Sequence, residues 1–335
     1  MKSYIKTTVI LIGMAVITTA AVSCRNNTIP ETIEGIALGT LYKVTVTSNA
    51  PADMRSKVEH VCAEADSMMS VFNPHSLLSR LNRNETDSLT EDIVSNIELA
   101  RKVSEISNGK YDITVHPIVE AYGFVDGTPQ TDADIDSLLR LVGYDKIEIR
   151  DGRLVKQNPG TQITLNSIAK GYTVDKVASM LETEGVRNYL VNIGGEIFCR
   201  GTNPNGENWH IAIDTPYEGN YAPGASTSKI INVSGMGVAT SGNYRNFLTA
   251  SDGRKFTHII DPTTGGTTES DLLSATVVAE SCALADAMGT MFMALGYDAS
   301  LRLLEAHPEI AALLIYSDAS GNMKIHASTA MEQYL

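Results

Sequence analysis

Asp286 and Thr290 stand four residues apart, and at this spacing both side chains lie on one face of a helix. A carboxylate and a hydroxyl directed at one point offer two hard oxygen ligands, which suit Mg²⁺ and not zinc. Small neighbouring residues leave room for the backbone of another segment to approach; they are Ala283, Ala285, Ala287 and Gly289. The alternative is a packing helix whose early aspartate complements the helix dipole.

The segment 165–172 is a second candidate, because a polar loop there leads into a helix with Lys170 in its first turn. Free backbone N–H groups and the dipole at a helix N-terminus favour an anion, and the ammonium adds a full charge. Gly171 is costly inside a helix, so it predicts that something approaches closely. Taken alone, the segment also fits a surface lysine beside a packing glycine.

Two further stretches combine turn residues with polar side chains. Gly194 and Gly195 follow a predicted strand and precede Glu196, and paired glycines permit a tight turn or the close approach of a ligand. His258 lies in a predicted strand, and Asp261 begins an Asp-Pro pair, where the chain must turn. Catalytic groups are often held where an element ends in this way. A lone histidine is more often structural, however, and the chain has seven.

The N-terminus reads as a targeting segment. Two lysines precede the apolar run 9–16, which is too short to span a bilayer because a helix needs about 20 residues for that. We predict a lipoprotein signal peptide at 1–23, lipidation of Cys24, a tether at 24–34 and one domain at 35–335. The alternative is an ordinary signal peptide with a chance cysteine.

The composition limits the partners and the redox chemistry. The formal net charge of -13 disfavours nucleic acid and anionic membrane surfaces. An anionic cofactor would therefore need local positive groups or a metal. Cys62, Cys199 and Cys282 have no metal-type spacing, so we expect buried apolar residues and at most one disulfide.

Periodicity predicts the elements that position these residues. Helices are expected at 53–69, from about 90 to a cap at Asn108–Gly109, at 169–184 and at 282–295. Strands are expected at 42–47, 189–193, 210–213, 230–234, 256–260, 274–278, 311–316 and 324–327. Strands grouped in the second half, with dispersed helices, indicate an α+β fold with mixed sheets.

Together and in this order, these stretches resemble the FAD:protein FMN transferase family, often called ApbE-like lipoproteins. The resemblance runs from about Leu38 to Gly296. The residues that carry it are Gly39-Thr40, Tyr111 to Val115 with Pro117, Ala169 to Tyr172 with Asp175, Gly194 to Glu196, Ala239 to Gly242, His258 to Pro262 with Thr264-Gly265, and Ala285-Asp286 with Thr290.

The resemblance implies an ApbE-like fold with largely antiparallel sheets and surrounding helices. It also implies Mg²⁺ as cofactor and FAD as substrate. FMN would pass to a threonine or serine hydroxyl of an acceptor flavoprotein, and AMP would leave. The acceptor would be an extracytoplasmic subunit of an electron-transfer complex, and the enzyme would act on the periplasmic face of a bacterial membrane.

The family's site residues can be placed on this chain by the same resemblance. The Mg²⁺ site falls on Asp286, Thr290 and the backbone oxygen of Ser167. The implied cofactor-binding residues are Leu38, Phe72, Lys110, Tyr111, Asp112, Thr164, Lys170 and His258. The family often has an aspartate at the position of Thr164 and a small residue at Asn166 or Ser167. Ser167 can still serve, because only its carbonyl is needed.

The catalytic roles follow from the reaction. His258 is expected to position or deprotonate the acceptor hydroxyl, a role that its ordinary pKa of about 6.5 suits. Asp261 would orient it, and Lys170 would stabilise phosphate charge. Phe72 and Tyr111 either pack on the flavin or adenine rings or belong to the core.

Two other functions remain open. Water in place of the acceptor would make the chain an FAD pyrophosphatase that yields FMN and AMP. If the chain binds FAD but catalyses no reaction, it would be an FAD-binding lipoprotein. Asp286 and Thr290 favour an enzyme, because a mere binder needs no metal at the pyrophosphate.

Overall fold

The computed structural model describes the residues 29–130, 133–217, 220, 224–242, 247–249, 255–257, 259–268 and 270–335. The predicted signal peptide, Cys24 and His258 lie outside these residues. In the part of the chain that is described, no helix is long and apolar enough to cross a membrane.

Strands and helices alternate irregularly along the chain. The strands are β1 (Glu31–Ala37), β2 (Thr40–Val46), β3 (Ile147–Arg150), β4 (Arg153–Lys156), β5 (Tyr189–Ile193), β6 (Glu196–Arg200), β7 (Trp209–Asp214), β8 (Thr227–Val233), β9 (Met236–Gly242), β10 (Phe247–Thr249), β11 (Lys255–Thr257), β12 (Leu272–Ala279), β13 (Ala311–Ser317) and β14 (Met323–Ala327). The helices are α1 (Met54–Met69), α2 (Leu77–Asn82), α3 (Glu91–Ile106), α4 (His116–Ala121), α5 (Ile135–Leu139), α6 (Ala169–Thr183), α7 (Cys282–Leu295) and α8 (Tyr297–Ala306), with 3₁₀ turns at Tyr144–Lys146 and Thr329–Tyr334.

The main sheet has eight strands in the order β1-β2-β5-β6-β9-β12-β13-β14. All of its neighbouring strands pair antiparallel, which confirms the predicted fold class. Two-residue turns with positive φ, Leu38–Gly39 and Gly194–Gly195, join β1 to β2 and β5 to β6. Such turns match the right-handed twist of paired strands. Because β2 and β5 are antiparallel neighbours, both turns lie at the same end of the sheet.

One face of the sheet is covered by α1, α6 and α7. The alternation predicted for β2 is confirmed, since Tyr42, Val44 and Val46 are buried against α1 and α6. The small residues of α7 let this helix lie close on β9 and β12. On the opposite face, the β7–β8 hairpin packs Trp209 and Ile211 against the sheet. The middle of the sheet is therefore buried on both sides.

Most predicted elements are confirmed, and two predictions need correction. Strand β1 begins at Glu31, inside the range 24–34 predicted as a tether, because it pairs with β2. The strand predicted at 256–260 ends at Thr257, and Ile260 instead bridges Thr267. Strands β6 and β9 and helix α8 are among the elements that were not predicted. Glycines and polar residues interrupt the apolar pattern of β9, and three consecutive apolar residues, Ile197 to Cys199, hide the alternation of β6. The cysteines Cys62, Cys199 and Cys282 are free and buried, as expected.

Candidate active site

The start of α6 faces the side of α7. The backbone N–H of Gly171 lies in the first turn of α6, where it has no partner within the helix. It donates to Oδ2 of Asp286 at 3.0 Å. Asp286 is only 3% exposed. The anion that this helix N-terminus holds in the structure is therefore the protein's own carboxylate.

Lys170 lies between two buried carboxylates. Its Nζ is 3.0 Å from Oε1 of Glu196 and 3.6 Å from Oδ2 of Asp286. Burial by itself lowers the pKa of this ammonium, but Asp286 and Glu196 outweigh that effect and hold the pKa above its usual range. The lysine is thus charged and locally neutralised, and it is not the exposed surface lysine of the alternative interpretation.

Glu196 is a site residue that sequence reasoning named within a motif but did not assign to the site. It is the first residue of β6, directly after the glycine turn, and pairs with Ile193. Ile197 packs into the core on the opposite face, so the alternation of the strand turns Glu196 towards α6. Burial raises the pKa of its carboxyl, Lys170 opposes the rise, and Asp286 adds to it. The glycine pair before an acidic residue was the available signal, but its meaning depended on recognising β6.

Gly171 is in close contact with the first turn of α7, as its cost in a helix predicted. A Cβ atom at Gly171 would lie 2.4 Å from the backbone oxygen of Cys282. Asp175, one turn further along α6, accepts hydrogen bonds from the backbone N–H groups of Cys282 and Ala283. Burial raises the pKa of Asp175 to about 6, although these two hydrogen bonds oppose the rise. Together the contacts fix α6 and α7 relative to each other, and with them Lys170 and Asp286.

Gly171→Ala should therefore destabilise the protein, although the same change at an open helix position stabilises by about 0.8–1.0 kcal/mol. The obstructing atoms are backbone and cannot rotate away, so we expect a loss of about 1–3 kcal/mol, as for an overpacked core. Urea unfolding followed by circular dichroism measures the change. Ser179→Ala, at an exposed position of the same helix, is the control and should change stability by less than about 0.5 kcal/mol. A Gly171→Ala protein as stable as the control would contradict this close packing.

Tyr111 and Ser167 connect the loop before α6 to the core. Their side-chain oxygens are 2.9 Å apart. Tyr111 is 3% exposed and belongs to the main apolar core, which favours the core interpretation over a ring that stacks on flavin. Burial raises the pKa of its hydroxyl, and Asp286 contributes to the rise although Ser167 opposes it. Tyr111 therefore lies within electrostatic reach of the Lys170 cluster.

Two other predicted cofactor contacts are engaged within the protein. Asp112 accepts from the backbone N–H and the hydroxyl of Thr114 at 2.8 and 2.6 Å. The hydroxyl of Thr164 accepts from the backbone N–H of Asn166 at 3.3 Å, and the side chain is buried. These residues shape the loops on either side of the site, and their contact with the cofactor stays a prediction.

Lys110 and Asp261 form an ion pair across 151 residues of sequence, with 2.8 Å between Nζ and Oδ2. Lys110 also donates to Thr263, and Oδ1 of Asp261 accepts from the backbone N–H and hydroxyl of Thr263. Burial by itself raises the pKa of Asp261, but Lys110 and Thr263 outweigh that effect and lower it below its usual range. Both residues were predicted as separate site groups, and the structure shows that they neutralise each other and fix the turn 261–266.

Leu38 and Phe72 are two apolar members of the predicted set whose side chains keep accessible surface. Leu38 is half-buried in the β1–β2 turn, with a positive φ of 50°. Phe72 is 60% exposed. An exposed ring and a turn at the site end of the sheet remain suitable for contact with a planar ligand.

The residues predicted to hold Mg²⁺ offer oxygen donors of the right kind. Asp286 supplies a buried carboxylate, and the hydroxyl of Thr290 lies one helical turn away, 3.4 Å from that of Ser241 on β9. The described residues contain no group of three His, Cys, Asp or Glu side chains placed to hold a metal. The predicted set needs only one carboxylate, with a hydroxyl and a carbonyl. Its donors fit a hard cation such as Mg²⁺.

Comparison with known proteins identifies the family of this chain. A family model described as the ApbE family matches residues 38–314. The chain belongs to the ApbE family. This confirms the resemblance seen in the sequence motifs.

Similar proteins and structures agree with the family. A Vibrio cholerae relative named FAD:protein FMN transferase is 32% identical over 315 residues, which cover 90% of this chain and 92% of the relative. A Salmonella typhimurium relative, also named FAD:protein FMN transferase, is 30% identical over 305 residues. The matched region covers 87% of this chain and 85% of the relative. The solved structure of the flavin transferase ApbE from Vibrio cholerae matches with a TM-score of 0.81 and 30% identity, over 91% of this chain and all of that chain. The apo form of the Pseudomonas stutzeri flavinyl transferase ApbE matches with a TM-score of 0.78 and 30% identity, over 91% and 96%.

Proposed function

We propose that this chain transfers the FMN half of FAD to a threonine or serine hydroxyl of a partner flavoprotein, releases AMP, and uses Mg²⁺. The observation that supports this most is the buried cluster of Lys170, Glu196 and Asp286 in a chain of the ApbE family. The relatives that it matches over most of its length are named for transfer of FMN from FAD to protein. The folded domain, which includes β1, carries this activity.

The reaction exchanges the phosphoanhydride bond of FAD for a phosphoester bond to the acceptor. The acceptor hydroxyl oxygen forms a bond to the FMN-side phosphorus of FAD, and the bond from that phosphorus to the bridging oxygen breaks. AMP leaves with the bridging oxygen, and the hydroxyl proton passes to a base. Mg²⁺ held by Asp286, Thr290 and the carbonyl of Ser167 would supply neutralisation of the phosphate charge that develops. Lys170, beside Asp286, adds a fixed positive charge.

His258 is the proposed base or positioning group for the acceptor hydroxyl. It follows β11 directly in sequence, and Asp261 comes three residues later. Because Asp261 is paired with Lys110 and Thr263, its role is to hold the turn that follows His258. Orientation of the histidine by Asp261 would therefore be indirect.

One incubation separates transfer from the other functions. The full-length protein is mixed with FAD and Mg²⁺, with and without a purified acceptor flavoprotein that bears a threonine or serine attachment site. We expect AMP release that requires the acceptor, together with covalent flavin fluorescence on the acceptor in a denaturing gel. AMP and FMN in equal amounts without acceptor would mean pyrophosphatase activity, and intact FAD would mean a binding protein.

We further propose that Cys24 carries lipid and holds the domain on the periplasmic face of a bacterial membrane, where electron-transfer subunits could be acceptors. Strand β1 starts at Glu31 and runs to the Leu38–Gly39 turn, so the two glycine-containing turns lie at the end of the sheet opposite to Glu31. Cys24→Ser should move the protein from the membrane fraction to the soluble fraction without changing AMP release. Mass spectrometry that finds an unmodified N-terminus at another residue would contradict the lipid assignment.

A further inference from the structure

The charges around Asp286 are unequal in number. One ammonium, Lys170, serves two carboxylates, Glu196 and Asp286, so the cluster retains one negative charge. All three lie where α6, α7 and β6 meet. Glu196 is 5% exposed and Asp286 is 3% exposed, so water screens these charges poorly. A change in which carboxylate pairs with Lys170 therefore has a large effect on the electrostatic potential at Asp286.

Lys170 is closer to Glu196 than to Asp286. The distance of 3.0 Å to Glu196 is that of a charge-assisted hydrogen bond, whereas 3.6 Å to Asp286 lies beyond hydrogen-bond range. Oδ2 of Asp286 takes its hydrogen bond from the backbone of Gly171 instead. Asp286 is thus positioned by a neutral N–H group, and the competing cation is held to one side.

A carboxylate at position 196 is energetically unfavourable. Its Oε2 atom is buried and has no hydrogen-bond partner among the described residues. A buried polar atom without a partner costs free energy, so a carboxylate here contributes nothing to packing that an apolar residue could not. The side chain also faces the interior from a strand position where alternation would favour an apolar residue.

We propose that Glu196 is a positioning residue that draws the Lys170 ammonium away from Asp286 and so leaves Asp286 free to bind the divalent cation. The inference rests on the proposed metal site and extends it to a residue that is not a ligand. Without the Glu196 charge, the nearest anion for Lys170 is Asp286. A direct pair between them would neutralise the carboxylate and repel the cation that it is meant to bind.

The test measures cation binding and not turnover. Mn²⁺ serves as the paramagnetic probe in titrations of the full-length protein followed by electron paramagnetic resonance, and Mg²⁺ is then added as competitor. Glu196→Gln keeps the shape of the side chain and removes its charge. Its dissociation constant for Mn²⁺ should rise about 10–100-fold, as is typical when a residue that supports a metal ligand is changed.

A double variant distinguishes positioning from a simple loss of charge. In Glu196→Gln with Lys170→Met, the competing cation is gone and Asp286 again holds the one unpaired negative charge. Mn²⁺ affinity should return to near that of the unchanged protein. Circular dichroism and thermal unfolding confirm that each variant is folded, and Glu196→Asp replaces the glutamine variant if that one does not fold. The aspartate keeps the charge but reaches less far towards Lys170, so a smaller loss of affinity is expected.

Each other result contradicts the inference in a distinct way. If Glu196→Gln binds Mn²⁺ normally while Asp286→Asn binds it weakly, the metal site stands and the role of Glu196 is wrong. If the double variant stays as weak as Glu196→Gln, Glu196 acts on the cation directly and not through Lys170. If Asp286→Asn binds as the unchanged protein does, the proposed metal site is wrong, and this inference with it.

Discussion

Asp286→Asn is expected to reduce Mg²⁺-dependent AMP release by about 10³-fold or more while the protein stays folded. Charge stabilisation by a bound metal is worth several kcal/mol, and each ~1.4 kcal/mol changes a rate tenfold. The asparagine keeps an oxygen that can accept from the backbone N–H of Gly171. Lys170 keeps Glu196 as its ionic partner. The variant therefore removes the ligand charge without leaving the half-buried Lys170 ammonium unpaired.

The measurement is initial AMP release with saturating FAD and acceptor over a series of Mg²⁺ concentrations. Asp92→Asn is the matched control, because Asp92 also pairs with a lysine of α6, Lys176. Asp92 accepts its other hydrogen bond from the hydroxyl of Tyr172 and contacts none of the proposed metal ligands. The control should keep its turnover. Unchanged AMP release by Asp286→Asn at limiting Mg²⁺ would remove the metal-site assignment. An unfolding midpoint that falls together with activity would support the packing-helix alternative.

His258→Ala should slow transfer by about 10²–10⁴-fold while FAD affinity changes little. General-base assistance is worth about that much in rate, and a group that acts on the acceptor hydroxyl contributes chiefly in the transition state. The measurement is single-turnover AMP release with saturating FAD and acceptor, beside a fluorescence titration of FAD. If this variant loses FAD binding and keeps its single-turnover rate, His258 is a cofactor contact.

Lys170→Ala is the comparison variant and should raise the FAD dissociation constant as well as slow the reaction, because a fixed charge acts on the bound pyrophosphate too. The stability of this variant must also be considered. Removal of Lys170 leaves Glu196 and Asp286 buried without their shared cation, which is strongly destabilising. Thermal unfolding must therefore accompany its kinetics. A rate loss at the assay temperature counts only if the variant is folded there.

Local elements could be predicted because their signals are local. Helix α7 occupies the predicted range 282–295, since its apolar periodicity and its end at Gly296 are properties of neighbouring residues. Helix α3 begins after Thr90, whose hydroxyl accepts from the backbone N–H of Ile93 as an N-cap. Strands β6 and β9 could not be predicted in the same way. Glycines and polar residues break the pattern of β9, and the run Ile197 to Cys199 is apolar throughout, so neither strand has an alternating pattern.

Residue order was enough to predict the helices that carry Lys170 and Asp286, the four-residue spacing of Asp286 and Thr290, and the family to which the motifs belong. Which charges meet could not be predicted, because the folded chain brings together residues that are far apart in sequence. Gly171 reaches Asp286 across 115 residues, and Lys110 reaches Asp261 across 151. Such pairs depend on strand order and on how closely α6 packs on α7, and residue periodicity reports neither. The inward side chain of Glu196 follows from the register of β6 beside β5, and that register exists only in the folded sheet.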